Sequence, residues 1–390
     1  MIERATFRSG PRVGALGVVI GALLLGLPAG GEAVTYTFTK IADTSGPFSS
    51  FGVSPSINTG GIVAFQATLD VGGSGIFTGS GGPTMTIADT SGPFSSFGVG
   101  PSINTGGTVA FSAGLDAGGR GIFTGSGGPT MTIADESGPF SFLFFNPSIN
   151  TGGTVAFLAD LDAGGRGIFT GSGGPTMTIA DTSGPFSSFG VPSINAGGTV
   201  AFRADLDAGG IGIFTGSGGP TTTIADTSGP FSFFGTSPSI NTGGIVAFQA
   251  TLDVGGSGIF TGSGGPTTTI ADTSGPFSIF GEASINTGGT VAFRADLDAG
   301  GIGIFTGPDP VADKVIRGGD PLFGSTVIGL GLRPRLNDPG QVTFIASLAD
   351  GTFSIVRADP VLAAPEPASL LLLGAGLLGL AASARFLRRD

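Results

Sequence analysis

A unit of 45 or 46 residues is written repeatedly along this chain, and that periodicity limits the fold more than any other feature. The pattern Asn-x-x-Gly-x-Val-Ala-Phe begins at Asn58, Asn104, Asn150, Asn195, Asn241 and Asn286, and a degenerate seventh copy begins at Asn337 as Asn-Asp-Pro-Gly-Gln-Val-Thr-Phe. Residues 54–84 recur unchanged at 237–267, so near identity between copies reports recent duplication rather than selection at any one site. A unit of this length cannot bury both faces of its own structure, and neighbouring copies have to pack against each other.

Each copy reads as strands. In the second, Val109, Phe111, Ala113 and Leu115 occupy alternate positions of the segment 108–115, which predicts a strand with one firmly buried face. The intervening positions, such as Gln66 and Thr68, Arg203 and Asp205, or Arg294 and Asp296, vary and are often polar, so the other face is expected to be only partly buried. Asp-Ala-Gly-Gly then permits a tight reversal into Gly-Ile-Phe-Thr-Gly at Gly121. A Gly-rich turn leads into a third strand over 130–134, with Pro129 at its start, where a missing N–H donor is tolerated. The segment 91–98, with its two phenylalanines, is either a fourth short strand or a pinned loop. The Asn-x-x-Gly-x-Val-Ala-Phe signature resembles the bacterial tandem-repeat group known by an NxxGxxAF pattern and variable C-terminal anchors, a group that implies architecture and placement but no chemistry.

The expected fold is all-β, a seven-bladed β-propeller over residues 34–358; an open β-solenoid is the alternative. Seven units fall in the usual range of four to eight blades. The order Pro-Ser-Ile-Asn-x-x-Gly-x-Val-Ala-Phe, Gly-Ile-Phe, Thr-Ile-Ala-Asp is similar to WD40-like periplasmic propeller repeats, in which a turn leads into the inner strand. The chain also starts with a third-strand equivalent, 37–42, while its last unit stops after 351–356. The N-terminus is therefore expected to complete the last blade.

Composition removes most chemistry. The chain has no His, Cys or Trp and a single Tyr, Tyr36, which excludes imidazole-assisted nucleophiles, disulfides and metal sites that rely on His or Cys. Carboxylates remain, but they are copied: Asp70, Asp116, Asp162, Asp207, Asp253 and Asp298 precede Gly-Gly turns, and Asp43, Asp89, Asp135, Asp181, Asp226 and Asp272 end third strands. Repetition at that level points to turn architecture rather than to a catalytic centre. No catalytic, cofactor-binding or metal-binding residue is assigned and no cofactor is expected; calcium held by these carboxylates is the sharper alternative. The loop Gly79-Ser80-Gly81-Gly82 has no lysine or strand-to-helix context and reads as a hairpin turn. Phe48 with Phe51, and Phe94 with Phe97, read as plugs between blades. The last unit departs most from the rest, with the unique charges Asp313, Lys314, Arg317, Asp320, Arg333 and Arg335, which is where a ligand site would arise; a polysaccharide-acting carboxylate pair there, Asp313 with Asp320, is the enzymatic alternative.

The termini are targeting segments. Arg4, Arg8 and Arg12 precede an apolar stretch, and a cut after Ala33 fits the small-x-small rule, so residues 1–33 read as a signal peptide. Pro365-Glu366-Pro367 is followed by an apolar run and then Arg385, Arg388 and Arg389. That tail, residues 365–390, resembles the PEP-CTERM sorting signal of Gram-negative bacteria that make exopolysaccharide, which implies recognition and cutting by an exosortase-like membrane protease. A helix over 368–386 would be about 28 Å long, enough to span a bilayer, with the arginines on the cytoplasmic side. Residues 359–364 read as a linker. Three Arg and two Glu leave with residues 1–33 and three Arg and one Asp with 368–390, moving the net charge from −11 to −14, which argues against nucleic acid as a partner. The expectation is an exported, non-enzymatic surface or matrix protein, structural, adhesive or associated with exopolysaccharide.

Overall fold

The computed structural model describes residues 34–361 and shows a closed ring of seven antiparallel β-sheets, with no helix among the described residues. Both the expected signal peptide and the membrane helix 368–386 lie outside them.

In blade 1 an innermost strand made of Phe48–Phe51 and Ser56–Ile57 pairs with Val63–Leu69, which pairs with Ser74–Gly79, which pairs with the outermost strand Met85–Asp89. Blades 2 to 5 repeat that order; in blade 6 the innermost strand is continuous, Phe277–Ile285. The segment left open between strand and loop is thus a strand, and it opens its blade instead of finishing the previous one. Val-Ala-Phe is consequently the second strand from the axis, and the Asn-x-x-Gly turn leads out of the inner strand rather than into it.

Blade 7 is closed by the N-terminus as expected. Thr35–Asp43 pairs antiparallel with Phe353–Val361, from Thr35 opposite Val361 to Asp43 opposite Ser354. The sheet therefore continues through Asp359, Pro360 and Val361, three residues into the stretch read as linker.

The core lies between blades. Val109, Phe111 and Ala113 point back to Ala64 and Ile76 of blade 1, whereas Ala110 and Ile122 point forward to Val155, Phe157 and Ala159 of blade 3. Alternation places the two residue sets on opposite faces, and both faces are covered by a neighbour. The second face is accordingly drier than its polar residues suggest, with Ala64 fully buried and Gln66 only 9% exposed. Phenylalanine fills each joint: Phe48 meets Phe77 edge-on at 5.0 Å between centroids and Phe65 at 5.7 Å, with Phe51 against Phe65 at 5.8 Å. The phenylalanine pairs are packing elements, as expected.

Candidate binding site at the axial channel

The innermost strands of all seven blades end in an asparagine that stands at the axis. Asn58 Oδ1 accepts the Gly60 and Ile62 N–H groups at 3.0 Å each, holding its own turn, while Nδ2 donates to the Asn104 carbonyl oxygen of the next blade at 3.2 Å. The same bond runs from Asn104 to Asn150, Asn195, Asn241, Asn286 and Asn337 in turn, and Asn337 returns it to Asn58. This buried circle encloses one end of the channel, a cavity of about 180 Å³.

One step along the axis lies a serine ring. Ser102 Oγ accepts the Ile149 N–H of the next blade at 3.2 Å, and Ser148, Ser193, Ser239 and Ser284 do the same for Ile194, Ile240, Ile285 and Leu336. Blade 7 has Arg335 where the others have serine, and Ser56 Oγ is buried with no partner, so the ring is interrupted on both sides of blade 1. Arg335 enters a second cavity of about 190 Å³, where its one hydrogen bond is a long 3.5 Å contact from Nη2 to Ser54 Oγ. Burial lowers its pKa, Glu282 opposes that shift and Arg333 adds to it. The guanidinium remains charged at neutral pH.

Arg333 is paired with Glu282 at 2.8 Å, across the joint between blades 6 and 7. The remaining unique charges of the last unit lie elsewhere: Lys314 pairs with Asp320 at 3.1 Å, Asp320 also accepts the Arg317 N–H at 3.0 Å, and Asp313 accepts the Asp309 N–H at 2.9 Å. The six charges thus form two groups, and Asp313 and Asp320 are held by different partners. Among the described residues no three His, Cys, Asp or Glu side chains gather as a metal site. The aspartates that end the outer strands close turns instead; Asp89 Oδ1, for example, accepts both the N–H and the hydroxyl of Ser91. Asp70 and its equivalents are exposed at hairpin tips, where the Asp70 N–H bonds the Pro47 carbonyl.

Sequence reasoning passed over a second irregularity, in blade 3. Where blade 2 reads Phe-Ser-Ser-Phe-Gly-Val-Gly, blade 3 reads Phe-Ser-Phe-Leu-Phe-Phe-Asn. Arg120 of blade 2 lies 5.1 Å from the ring centroids of both Phe142 and Phe145, and Arg166, paired with Asp160 at 2.6 Å, lies 4.4 Å from that of Phe144. Phe145 is 44% exposed, and its counterparts Val53, Val99 and Leu332 are exposed as well. Asn146, the next residue, has φ of 65° and lines the cavity that Arg335 enters. The signal was present in the repeat itself, since among the first six copies only this inner strand departs from Ser-x-Phe-Gly.

Two overlapping alignments, over residues 28–219 and 88–354, match a family of unknown function, DUF7453, and residues 363–389 match the PEP-CTERM protein-sorting motif. The repeat body matches this family, and the resemblance of its signature to the NxxGxxAF group is not confirmed. No curated protein matches the chain. Similar solved structures include an oligogalacturonate lyase in complex with manganese, 11% identical with a TM-score of 0.57 over 86% of this chain and 97% of that one. An oligogalacturonate lyase from Vibrio parahaemolyticus is 12% identical, TM-score 0.55, over 86% and 99%, and the acylaminoacyl peptidase of Pyrococcus horikoshii is 11% identical, TM-score 0.52, over 84% and 54%. At such identity they share the propeller fold alone. The sorting motif marks an exported protein handled by an exosortase-type system. With most of its length matched and its tail accounted for, the chain belongs to DUF7453, a family of unknown function, and ends in a PEP-CTERM motif.

Proposed function

We propose that this is a non-enzymatic scaffold of the cell surface or extracellular matrix that binds exopolysaccharide through the rim of its channel. The observation that carries this reading is the break in the repeat at blade 3, where Phe142, Phe144 and Phe145 stand with Arg120 and Arg166, immediately before Asn146, which lines the channel cavity. Apolar ring faces with a few fixed polar groups suit sugar rings, which present both C–H faces and hydroxyls. Absence of His and Cys from the chain and the separate engagement of Asp313 and Asp320 support a binding role over turnover. An exosortase-type protease is the processing partner, and the segment 368–386 tethers the chain to the membrane until the tail is cut. Two of the fold neighbours are lyases named for oligogalacturonate, which makes acidic polysaccharides the first class to try.

Affinity electrophoresis of the mature chain through the producing strain's own exopolysaccharide tests this reading. Retardation is expected, at least tenfold weaker in the double variant Phe144→Ala, Phe145→Ala, with no fall in polymer length over time. Free migration of the wild type, or depolymerisation, overturns it.

A further inference from the structure

We propose that the channel holds one oxyanion group, a carboxylate or a sulfate, on the Arg335 guanidinium. A guanidinium presents five N–H donors in a planar fork that matches such groups, and here only Ser54 Oγ, at 3.5 Å, takes up any of them. No carboxylate among the described residues forms an ion pair with it: Glu282 pairs with Arg333 through Oε1 and its Oε2 is buried without a partner. Those three ionisable side chains together leave one positive charge near the axis.

The surroundings are built to receive a ligand. Ser56 Oγ and Ser237 Oγ line the same cavity, are buried, and have no hydrogen-bond partner. Hydroxyls of this kind donate to an anion as readily as they accept from a backbone amide. The cavity, about 190 Å³, has room for roughly six waters at about 30 Å³ each, enough for a sulfate or for the carboxylate end of a sugar acid. The other six blades carry serine at the Arg335 position, so arginine replaces a side chain that the architecture already accommodates. Its presence breaks the serine ring between blades 7 and 1, and the Ser56 hydroxyl in the same cavity is separately without a partner, a local loss that an anion would offset.

That same comparison supplies the test, since Arg335→Ser restores the repeat. Isothermal titration of the chain spanning residues 34–361 with sodium sulfate, and separately with digalacturonate, reads binding directly. One site per chain is expected, weakened at least tenfold in Arg335→Ser and in Arg335→Gln, with both variants melting within a few degrees of the wild type. Binding of sulfate and digalacturonate alike identifies a general oxyanion site; binding of digalacturonate alone identifies a site for the acidic end of a glycan. Either supports the inference, and the Phe144→Ala, Phe145→Ala variant should retain sulfate binding, which separates this site from the rim. No binding of either probe, or equal binding by wild type and both variants, overturns it.

Discussion

Asn337 Nδ2 donates to the Asn58 carbonyl oxygen at 2.8 Å, joining residues 279 positions apart by the same contact that joins every pair of neighbouring blades. An asparagine serves here because one side chain supplies both an acceptor for its own turn and a donor for the next blade. The circle of amides fixes the axial height of each blade relative to its neighbours, which the apolar joints between sheets do not specify on their own.

Asn337→Ala is expected to destabilise the propeller by about 2–3 kcal/mol, because the Asn58 carbonyl and the Gln341 N–H, which Asn337 Oδ1 accepts at 2.8 Å, are left without partners away from bulk water. Urea unfolding monitored by circular dichroism measures this. A loss under about 0.5 kcal/mol, the range of an ordinary surface substitution, would mean that the ring is not a structural joint.

The N-terminal strand holds the circle shut from outside. Ile41 is 3% exposed and packs with Phe48, Phe65 and Ile355, bringing the first and last blades together. Ile41→Ala should cost about 2–4 kcal/mol, while Met85→Ala, at a position 48% exposed on the outermost strand of blade 1, should be nearly neutral. Equal melting temperatures for the two variants would contradict a closing role for this strand.

Much of the ring was legible because repetition averages out local ambiguity. Period-two alternation at Val109, Phe111 and Ala113 located the strand, and the surplus third strand at 37–42 against the truncated last unit located the closure. Blade phase was not legible. Strand order along a chain is the same wherever the repeat is cut, and only the pairing of Phe94–Phe97 with Val109–Leu115 decides that the phenylalanine segment opens its blade. The channel site was half legible: Arg333 and Arg335 stood out by charge, but Glu282 sits in the neighbouring unit and the phenylalanines of blade 3 in a distant one. Their meeting with the axis depends on ring closure, which sequence proximity does not encode.

Some glycines in this chain are kept by their neighbours rather than by backbone angle. A Cβ on Gly212 would lie 2.8 Å from Phe214 Cζ and 3.0 Å from the Ala225 carbonyl oxygen, in a joint where the ring cannot move aside. Gly212→Ala is expected to cost about 1–3 kcal/mol, whereas Gly219→Ala, where a Cβ meets nothing within 4 Å, should be tolerated. Thermal unfolding of the pair separates crowding from a general intolerance of substitution.

Tyr36, on the closing strand, has a phenol whose pKa is raised by burial, with the Thr306 hydroxyl acting against the shift and Asp313 adding to it. The neutral phenol is favoured in the folded state, so its contribution is complete below the ordinary tyrosine value of about 10 and is lost as pH rises through the higher folded value. Stability should therefore fall above about pH 10 more steeply in the wild type than in Tyr36→Phe, as read from urea midpoints across that range. Parallel curves would show that the phenol does not titrate with folding.

Processing at both ends should leave the ring intact, because the paired strands stop just inside the two cut sites. Thr35 pairs with Val361, so a cut after Ala33 removes nothing from the closing strand and a cut near Pro365-Glu366-Pro367 removes nothing from its partner. Mass spectrometry of the extracellular protein is expected to find Val34 at its start and a C-terminus lacking the apolar segment after Pro367. This form should melt at the same temperature as a chain that retains the tail, since no described contact is lost. An extracellular form trimmed past Thr35 or Val361 would open the ring, and recovery of only the full-length chain in the inner membrane would rule out the matrix role.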